Sequence, residues 1–302
     1  MPLPIPAPRA EGVTTSTGAP LYWASYGDES APSAVVVHGG PGADHRYLLP
    51  QMLRLAEPPE ARRLVLYDQR GGGRSRSDDR EPVTWQSHVA DLADVVAELT
   101  SDEPLTLVGY SWGGLLALLY VLEAAAADTR LRRPSTLVLI DPALVTRAYR
   151  AQFEAEFARR QQGPAVQSLR EELAASGLRE RDPEAYRQRA FELSVAGYFA
   201  DPREARELTP FRVVGRVQQS VWESLGDFDV RDALASAFDA VDCRTLVVHG
   251  RQDPIPLASS EDVARAAGAE LVVLEGSGHV PYVERPEELF AAVKGFLSAS
   301  SR

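Results

Sequence analysis

The sequence predicts an α/β fold in which a doubly wound, mostly parallel sheet is interrupted by a helical cap. Two observations predict it. Short β-branched runs alternate with helical patterns along most of the chain, and this alternation stops between about residues 144 and 227, where only helical patterns occur. Alternation of strand and helix is typical of parallel sheets covered by helices on both faces. We therefore predict a first core part at residues 1–143, a cap at 144–228 and a second core part at 229–302.

Strands are predicted where apolar, β-branched runs meet turn residues. The clearest runs are Ala34–His38, Leu64–Asp68, Leu105–Tyr110, Thr136–Asp141, Arg244–His249 and Glu270–Leu274. An early strand is expected at Leu21–Tyr26, paired with Gly12–Thr17. Helical periodicity predicts four core helices, at His88–Leu99, Gly114–Ala126, Ser260–Ala267 and Pro286–Leu297.

The cap sequence has apolar residues every four positions, which places them on one face of a helix. The two stripes are Val145, Tyr149, Phe153 and Phe157, and later Val214, Val217, Val221 and Leu225. Proline is tolerated in the first turn of a helix. We therefore expect helices to begin near each of four cap prolines: Pro164, Pro183, Pro202 and Pro210.

Composition limits the possible partners and compartment. The net charge of −11 argues against binding to nucleic acids and anionic membranes, which requires basic patches. No apolar run reaches the ~20 residues that span a bilayer, and the N-terminus lacks the basic start and apolar core of a secretory signal. Cys243 is the only cysteine, so an intrachain disulfide is impossible. These features predict a cytoplasmic protein.

A candidate nucleophile lies in Gly109–Gly113, which has the pattern G-x-S-x-G. This segment follows an apolar strand and opens a helix, which is the setting of a nucleophile elbow. There the hydroxyl of Ser111 would project at a helix N-terminus, where developing negative charge is favoured. The alternative is a serine that merely caps the helix in an ordinary turn.

A glycine-rich loop, His38–Gly42, follows another predicted strand. Acyl transfer needs two backbone N–H donors that already point at the developing oxyanion, and glycine permits a close approach of the backbone. The expected donors are the N–H of Trp112 and an N–H from Gly39 or Gly40. A phosphate-binding loop is the alternative, but the usual glycine and lysine spacing is missing.

The general base is expected at His279, on a loop of small residues after the last strand. Two acids compete to orient it. Asp253 follows the penultimate strand, and Asp141 follows the strand before the cap. We favour Asp253 because it precedes the histidine by one strand–helix unit, which gives the hydrolase order Ser–Asp–His. Either aspartate is alternatively a turn or a helix cap.

Three segments together resemble a known family. The loop His38–Gly42 reads HGGPG, the segment Asp68–Ser75 reads DQRGGGRS, and the elbow Gly109–Gly114 reads GYSWGG. The chain resembles the α/β-hydrolase superfamily, and within it the prolyl iminopeptidases, which include the tricorn-interacting aminopeptidases. The resemblance implies release of one N-terminal residue, often proline, from short peptides, with no cofactor and no metal. Asp68 and Arg70 are interpreted as a charged pair that braces the loop under the oxyanion turn, and a part in the chemistry is the alternative.

The resemblance also implies that acids of the cap bind the free α-amine of the substrate. Glu223 is the best match and Glu192 the second. The alternative is a solvated face, because Glu223 shares its helical stripe with Arg212, Arg216 and Gln219. The chain also departs from the tricorn-associated branch, where an acid follows the orienting aspartate, since Pro254 stands there.

The leading hypothesis is therefore a serine hydrolase that acts through an acyl-enzyme, as an aminopeptidase that releases N-terminal proline or another small residue from a short peptide or from an amide of an N-terminal amino acid. A carboxylesterase or lactonase with the same residues is the first alternative. A binding protein that kept the fold without catalysis is a remote one. Dehalogenases and epoxide hydrolases of this fold need a carboxylate where Ser111 stands.

Overall fold

A single mixed sheet forms the centre of the molecule. The computed structural model describes residues 4–77, 81–101 and 104–299, so the first three and last three residues of the predicted core lie outside the described residues. The strands are β1 (Ala10–Val13), β2 (Tyr22–Tyr26), β3 (Ser33–Val37), β4 (Arg63–Tyr67), β5 (Leu105–Tyr110), β6 (Pro134–Ile140), β7 (Arg244–Gly250) and β8 (Glu270–Leu274). Their spatial order is β1-β2-β4-β3-β5-β6-β7-β8.

The sheet is parallel from β4 to β8 in this order, and β1 and β2 are antiparallel additions at one edge. Helices lie along the chain between the parallel strands. They are α1 (Trp85–Leu99), α2 (Trp112–Ala124), α3 (Arg147–Gln161), α4 (Pro164–Ala175), α5 (Leu178–Arg181), α6 (Pro183–Val195), α7 (Gly215–Leu225), α8 (Arg231–Val241), α9 (Leu257–Ala267), α10 (Pro281–Glu284) and α11 (Pro286–Ser298). Short 3₁₀ helices occupy His45–Leu48, Gln51–Ala56, Ala196–Tyr198 and Pro202–Glu207. The predicted doubly wound α/β class is confirmed.

Two hydrophobic cores cover the two faces of the sheet. Neighbouring residues of the central strand β5 belong to different cores, with Leu107 in one and Val108 in the other, and both are fully buried. This follows from the period-2 alternation of side chains along a strand. Burial on both sides explains why these runs lack a polar face.

The first strand differs from its prediction. β1 ends at Val13, whereas the sequence pattern suggested Gly12–Thr17. The backbone N–H groups of Thr15 and Ser16 donate instead to the carboxylate of Glu98, at 2.9–3.0 Å. A distant side chain thus replaces a strand partner for these donors.

Helix α1 begins three residues before its predicted start. Thr84 and Ser87 form a reciprocal capping box at its N-terminus. The usual sequence signature of a capping box has Glu or Gln at the third helical position. Ser87 stands there instead, so the sequence pattern did not indicate this helix start.

The two ends of the helical insertion between β6 and β7 are hydrogen-bonded to each other. Thr146 forms an isolated bridge with Asp229, and Arg147 N–H donates to the carbonyl of Phe228. Helices α3 to α7 lie between these paired ends, while α8 packs against α2 and α9 of the core. The division into residues 1–143, 144–228 and 229–302 as separate domains stays a prediction.

The cap helices follow the predicted proline pattern with one exception. Pro164 and Pro183 each occupy the first turn of an α-helix, and Pro202 begins a 3₁₀ helix. Pro210 does not begin a helix, because α7 starts only at Gly215. The intervening residues instead run over the oxyanion loop, where Val214 N–H donates to the carbonyl of Gly42.

The described residues include no helix with the length and apolarity that a membrane span requires.

Candidate active site

Ser111 lies at a sharp turn between β5 and α2. Its backbone has φ 54° and ψ −122°, a conformation that is strained for a residue with a side chain. The turn needs small neighbours, since a Cβ on Gly113 would lie 2.0 Å from the carbonyl oxygen of Val37. The hydroxyl is thereby held at the N-terminus of α2, at the carboxyl edge of the sheet.

Three of the predicted residues form a continuous chain of hydrogen bonds. Ser111 Oγ lies 2.9 Å from His279 Nε2, and His279 Nδ1 lies 2.7 Å from Asp253 Oδ2. The loops that follow β5, β7 and β8 contribute one residue each, and these loops open at the same edge of the parallel sheet. This geometry lets the imidazole accept a proton from the serine while its other nitrogen is fixed by a carboxylate.

Of the two competing acids, the structure places Asp253 against the imidazole. Its other oxygen, Oδ1, accepts a hydrogen bond of 2.7 Å from Ile255 N–H. Asp141 is fully buried nearby, but its Oδ1 accepts from Gly250 N–H at 2.8 Å rather than from the imidazole.

Burial sets the charge state of the imidazole. His279 is 5% exposed, and desolvation by burial lowers its pKa to about 4. It is therefore neutral at pH 7, so Nε2 is free to accept a proton. The rings of Tyr110 and Tyr198 pack against it, with centroids 5.3 and 5.1 Å from that of the imidazole.

The loop that carries His279 is fixed by Glu284, a residue that the sequence patterns did not reveal. This buried carboxylate accepts hydrogen bonds from the N–H groups of Gly278 (2.8 Å), Val280 (3.2 Å) and Ala200 (2.7 Å). Ala200 belongs to the insertion, so one side chain joins the histidine loop to the cap. Gly278 and Val280 lie six and four residues before Glu284, whereas Ala200 lies 84 residues away, so the local sequence contains no signal for the link to the cap.

The glycine loop after β3 is braced by Gln69, a second residue that the sequence patterns did not reveal. Gln69 Nε2 donates to the carbonyl of His38 at 2.7 Å, and Gln69 Oε1 accepts from Trp112 Nε1 at 2.8 Å. The side chain of His38 completes the brace, since its Nδ1 bonds the carbonyl of Gly39 at 2.8 Å. Gln69 therefore ties the glycine loop to the first turn of α2.

The three expected oxyanion residues lie around Ser111. A Cβ on Gly39 would come within 2.7 Å of the Cβ of Ser111, so only glycine fits there. Gly40 lines the cavity at Ser111 and has φ +61°. Trp112 is the first residue of α2, where backbone N–H groups have no partner within the helix. Each position therefore suits the predicted role.

Asp68 and Arg70 do not pair with each other, contrary to the interpretation of the sequence. Asp68 Oδ1 accepts from the backbone N–H and the Nδ1 of His45, at 3.0 and 2.7 Å. Arg70 instead forms a bidentate ion pair with Asp91 of α1, at 2.5 and 2.9 Å. Both residues still brace loops at this edge, each through a partner that the local segment does not contain.

A cavity of about 330 Å³ opens at Ser111 and His279. Aromatic side chains from the core and the cap form much of its wall, namely Tyr47, Tyr110, Phe191, Tyr198, Phe211 and Tyr282. The cap also contributes Ser194 and Gln218. Among the described residues that line it, none is Asp, Glu, Lys or Arg. The cavity therefore suits an uncharged, largely apolar group of modest size.

The two cap glutamates do not reach this cavity. Glu223 is exposed, accepts from Gln219 Nε2 at 2.7 Å and lines a surface depression with Arg147 and Asp227. Glu192 lines a different cavity and pairs with Arg189 at 2.7 Å. The expected amine-binding role of Glu223 and Glu192 is therefore not supported, because the packing of α6 and α7 directs both carboxylates away from Ser111.

One group of possible metal ligands occurs among the described residues. It consists of Asp141, His249 and Asp253, all buried, with one ligand atom of each within 4.8 Å of the others. Asp253 already uses one oxygen for His279 and the other for Ile255 N–H. A metal here would compete with the hydrogen bond that orients the imidazole, so the donor set fits a shared proton better than a cation.

Comparison with known proteins agrees with this architecture. The family model described as "Alpha/beta hydrolase family" matches residues 34–293. A proline iminopeptidase from Xanthomonas citri is 29% identical over 303 residues, covering 91% of this chain and 92% of that protein. One from Lactobacillus helveticus is 34% identical over 116 residues, but this covers only 37% of the chain and 38% of that enzyme, well under two thirds of its length.

Solved structures share the whole fold. The crystal structure of a proline iminopeptidase-related protein from Thermus thermophilus has a TM-score of 0.69 at 24% identity, covering 96% of this chain and 97% of that one. The family match includes the strands and loops that carry Ser111, Asp253 and His279. The chain belongs to the alpha/beta hydrolase family.

Proposed function

We propose that the chain is a serine hydrolase that cleaves carboxylic esters or amides through an acyl-enzyme at Ser111. The observation that carries this proposal is the hydrogen-bond chain from Ser111 Oγ through His279 to Asp253, at 2.9 and 2.7 Å, in the wall of a substrate-sized cavity. A serine that merely capped α2 would need neither a buried imidazole nor an acid behind it.

The reaction follows from the protonation states. Neutral His279 takes the proton of Ser111 Oγ as this oxygen forms a bond to the substrate carbonyl carbon. Asp253 stabilises the imidazolium, and the N–H of Trp112 with an N–H from Gly39 or Gly40 would bind the oxyanion. The imidazolium then gives its proton to the leaving group as the carbonyl–leaving group bond breaks. Water repeats the sequence and releases the acid.

The cavity favours an acyl group that is uncharged and largely apolar. Transferring an ammonium group into such a wall without a paired acid is costly. Esters and amides with a short aliphatic or cyclic acyl part meet this requirement, which favours the carboxylesterase or lactonase alternative over obligatory recognition of an α-amine.

Removal of an N-terminal residue, with proline foremost, is the second candidate. It is favoured by the Xanthomonas citri proline iminopeptidase, which aligns over 91% of this chain. The ring of proline is compact and apolar, as the cavity requires. In this candidate the amine would have to be recognised by uncharged groups such as Gln218 or a tyrosine hydroxyl, because the cap glutamates lie elsewhere.

The nucleophile is tested with a fluorophosphonate probe. We expect labelling of the wild type and loss of labelling in Ser111→Ala. Ser194→Ala is the matched control, since Ser194 lines the same cavity but its hydroxyl donates to the carbonyl of Phe191 at 2.7 Å instead of to an imidazole. Labelling should therefore persist in Ser194→Ala. An unlabelled wild type would contradict the proposal and favour a binding protein without catalysis.

Substrate class is tested by comparing four substrates: a short-chain ester, alanyl-anilide, prolyl-anilide and N-blocked prolyl-anilide. We expect the ester and the N-blocked anilide to be turned over at least as well as the unblocked anilides. A strict requirement for the free amine would contradict the acyl-group proposal and favour the iminopeptidase.

A further inference from the structure

Two buried carboxyl groups lie side by side behind the imidazole. Asp141, after β6, and Asp253, after β7, are 0% and 8% exposed. One carboxylate oxygen of each and a ring nitrogen of His249 all lie within 4.8 Å of one another. Two ionised carboxylates at this separation in a buried site repel strongly, so one of them holds a proton.

The hydrogen-bond donors around each carboxyl group decide which one is protonated. Asp253 receives a donor on each oxygen, from His279 Nδ1 and from Ile255 N–H, both at 2.7 Å. Asp141 receives one donor, Gly250 N–H at 2.8 Å on Oδ1, and its Oδ2 is buried without a hydrogen-bond partner. Donors stabilise the charged form of a carboxyl group, so the ionised member is Asp253 and the free oxygen of Asp141 is the site of the proton.

The electrostatic surroundings agree with this assignment. Burial raises the pKa of both carboxyl groups. At Asp253 the hydrogen bonds from Asp141 and from Ile255 N–H oppose this increase, whereas at Asp141 the neighbouring charge of Asp253 adds to it, so the pKa of Asp141 lies well above its ordinary value. Burial also lowers the pKa of His249 to about 3, so this histidine is neutral and does not supply a compensating cation. Other ionisable groups also act on the pair, namely Tyr110 on β5, His279 after β8, Tyr282 and Glu284 on α10, Arg160 on α3, and Tyr198 at the end of the 3₁₀ helix Ala196–Tyr198.

We propose that Asp141 is a positioning residue, which stays protonated and donates a hydrogen bond from Oδ2 to the carboxylate of Asp253, so that this carboxylate is held in the orientation that fixes His279. The proposal rests on the proposed serine hydrolase function. With one proton between them, Asp141 and Asp253 together carry a single negative charge behind the imidazole of His279.

The backbone conformation at Asp141 supports a positioning role for its carboxyl group. Its φ of +41° lies in the left-handed region, which is unfavourable for most residues with a side chain and is least so for Asn and Asp. This turn places the carboxyl group between the ends of β6 and β7, where Gly250 N–H holds one oxygen and leaves the other available to Asp253.

Asp141→Asn is the decisive variant. Asparagine keeps an acceptor for Gly250 N–H and a donor for Asp253, tolerates the left-handed backbone and is neutral. We therefore expect kcat to stay within about twofold of the wild type and the acidic limb of the kcat/KM profile to stay in place. If Asp141 were ionised, its neutralisation would move this limb to lower pH, because the imidazolium would lose a nearby negative charge, and that shift would overturn the proposal.

Asp141→Ala removes the donor. We expect kcat to fall about tenfold or more with KM nearly unchanged, since a hydrogen bond to a charged group is lost. Recovery of kcat in Asp141→Asn, but not in Asp141→Ala, separates positioning from a general loss of packing. Equal loss of kcat in both variants would contradict the assignment of a neutral donor.

An infrared measurement tests the proton without any substrate. At pH 7 the wild type should show the carbonyl stretch of a neutral carboxylic acid that disappears in Asp141→Asn. Asp68→Asn is the control, because Asp68 is buried but ionised and its replacement should remove no such band. An identical neutral-acid spectrum in wild type and Asp141→Asn overturns the proposal even if the protein proves to be an active hydrolase. If the band is lost but no substrate is cleaved, only the proposed function fails.

Discussion

Two buried clusters of aspartate and histidine lie at the carboxyl edge of the sheet. In one the histidine bonds a serine at a cavity, and in the other it lies between two loops. In the relay cluster, Asp253 and His279 lead to Ser111 at a cavity. In the brace cluster, Asp68 and His45 join backbone segments of two loops. The residue types are the same, and each acid lies 2.7 Å from a ring nitrogen.

The two acids differ in whether hydrogen-bond donors offset the cost of burying their negative charge. Asp68 receives three donors, including Arg74 N–H at 2.8 Å on Oδ2. Burial opposes its ionisation, but the hydrogen bonds from His45 and Arg74 outweigh burial and lower the pKa of Asp68. In the relay cluster burial prevails and raises the pKa of Asp253 above its ordinary value. The hydrogen bonds around Asp68 therefore favour its ionised form. In the relay cluster we propose that Asp141 and Asp253 share one proton, since burial raises the pKa of both.

The largest expected effect separates the two clusters by activity. Asp253→Asn should lower kcat about 10⁴-fold, because the amide no longer fixes the productive tautomer of His279. The measurement is steady-state hydrolysis of the short-chain ester. Asp68→Asn is the control, and a loss of kcat in Asp68→Asn as large as that in Asp253→Asn would erase the proposed distinction.

The next largest effect is on the stability of the protein and concerns the brace cluster. Asp68→Asn should lower the free energy of unfolding by about 1–3 kcal/mol, because buried N–H donors lose a charged acceptor. Urea denaturation followed by tryptophan fluorescence measures this change. If Asp68→Asn unfolds at the urea concentration of the wild type, Asp68 does not act as a brace.

The buried histidines predict how stability depends on pH. Burial lowers the pKa of His88 and His279 to about 4, and that of His249 to about 3. The unfolded chain binds protons at these positions near the ordinary value of 6.5, so it is favoured as the pH falls from 6.5 towards 4. We expect a loss of up to roughly 3 kcal/mol for each histidine across this window.

This pH effect is measured as the unfolding midpoint in urea at a series of pH values. His88→Gln should flatten the dependence, since it removes one titrating group that lies outside the relay. A stability that is constant from pH 6.5 to 4 in the wild type would show that these histidines are not held neutral by burial.

The smallest expected effect extends the comparison to the cap. Glu223→Gln and Glu192→Gln should change kcat/KM for prolyl-anilide less than about twofold, because neither carboxylate lines the cavity at Ser111. The two variants serve as controls for each other, as they lie on different helices. A tenfold increase in KM for the unblocked anilide alone would restore the amine-binding role.

The sequence was sufficient for features that depend on local order. The elbow at Ser111, the glycine loop and the loop of His279 each follow a recognisable strand, and parallel strands bring their carboxyl ends to one edge. The sequence could therefore nominate Ser111, His279 and two candidate acids. Chain order favoured Asp253 over Asp141, but the contact itself depends on where two separate loops pass in space.

The same limit explains the remaining differences. Gln69 bonds two segments that are distant in the chain, and Glu284 bonds Ala200, 84 residues before it. Arg70 pairs with a helix residue 21 positions further along the chain. The cap glutamates matched a family pattern, but the packing of α6 and α7 directs them to other surfaces. The sequence by itself determined which chemical groups the sheet edge carries, because strand order and turn geometry are encoded locally. Only the tertiary structure decided which groups meet, because side-chain contacts between distant segments depend on the packing of the whole molecule.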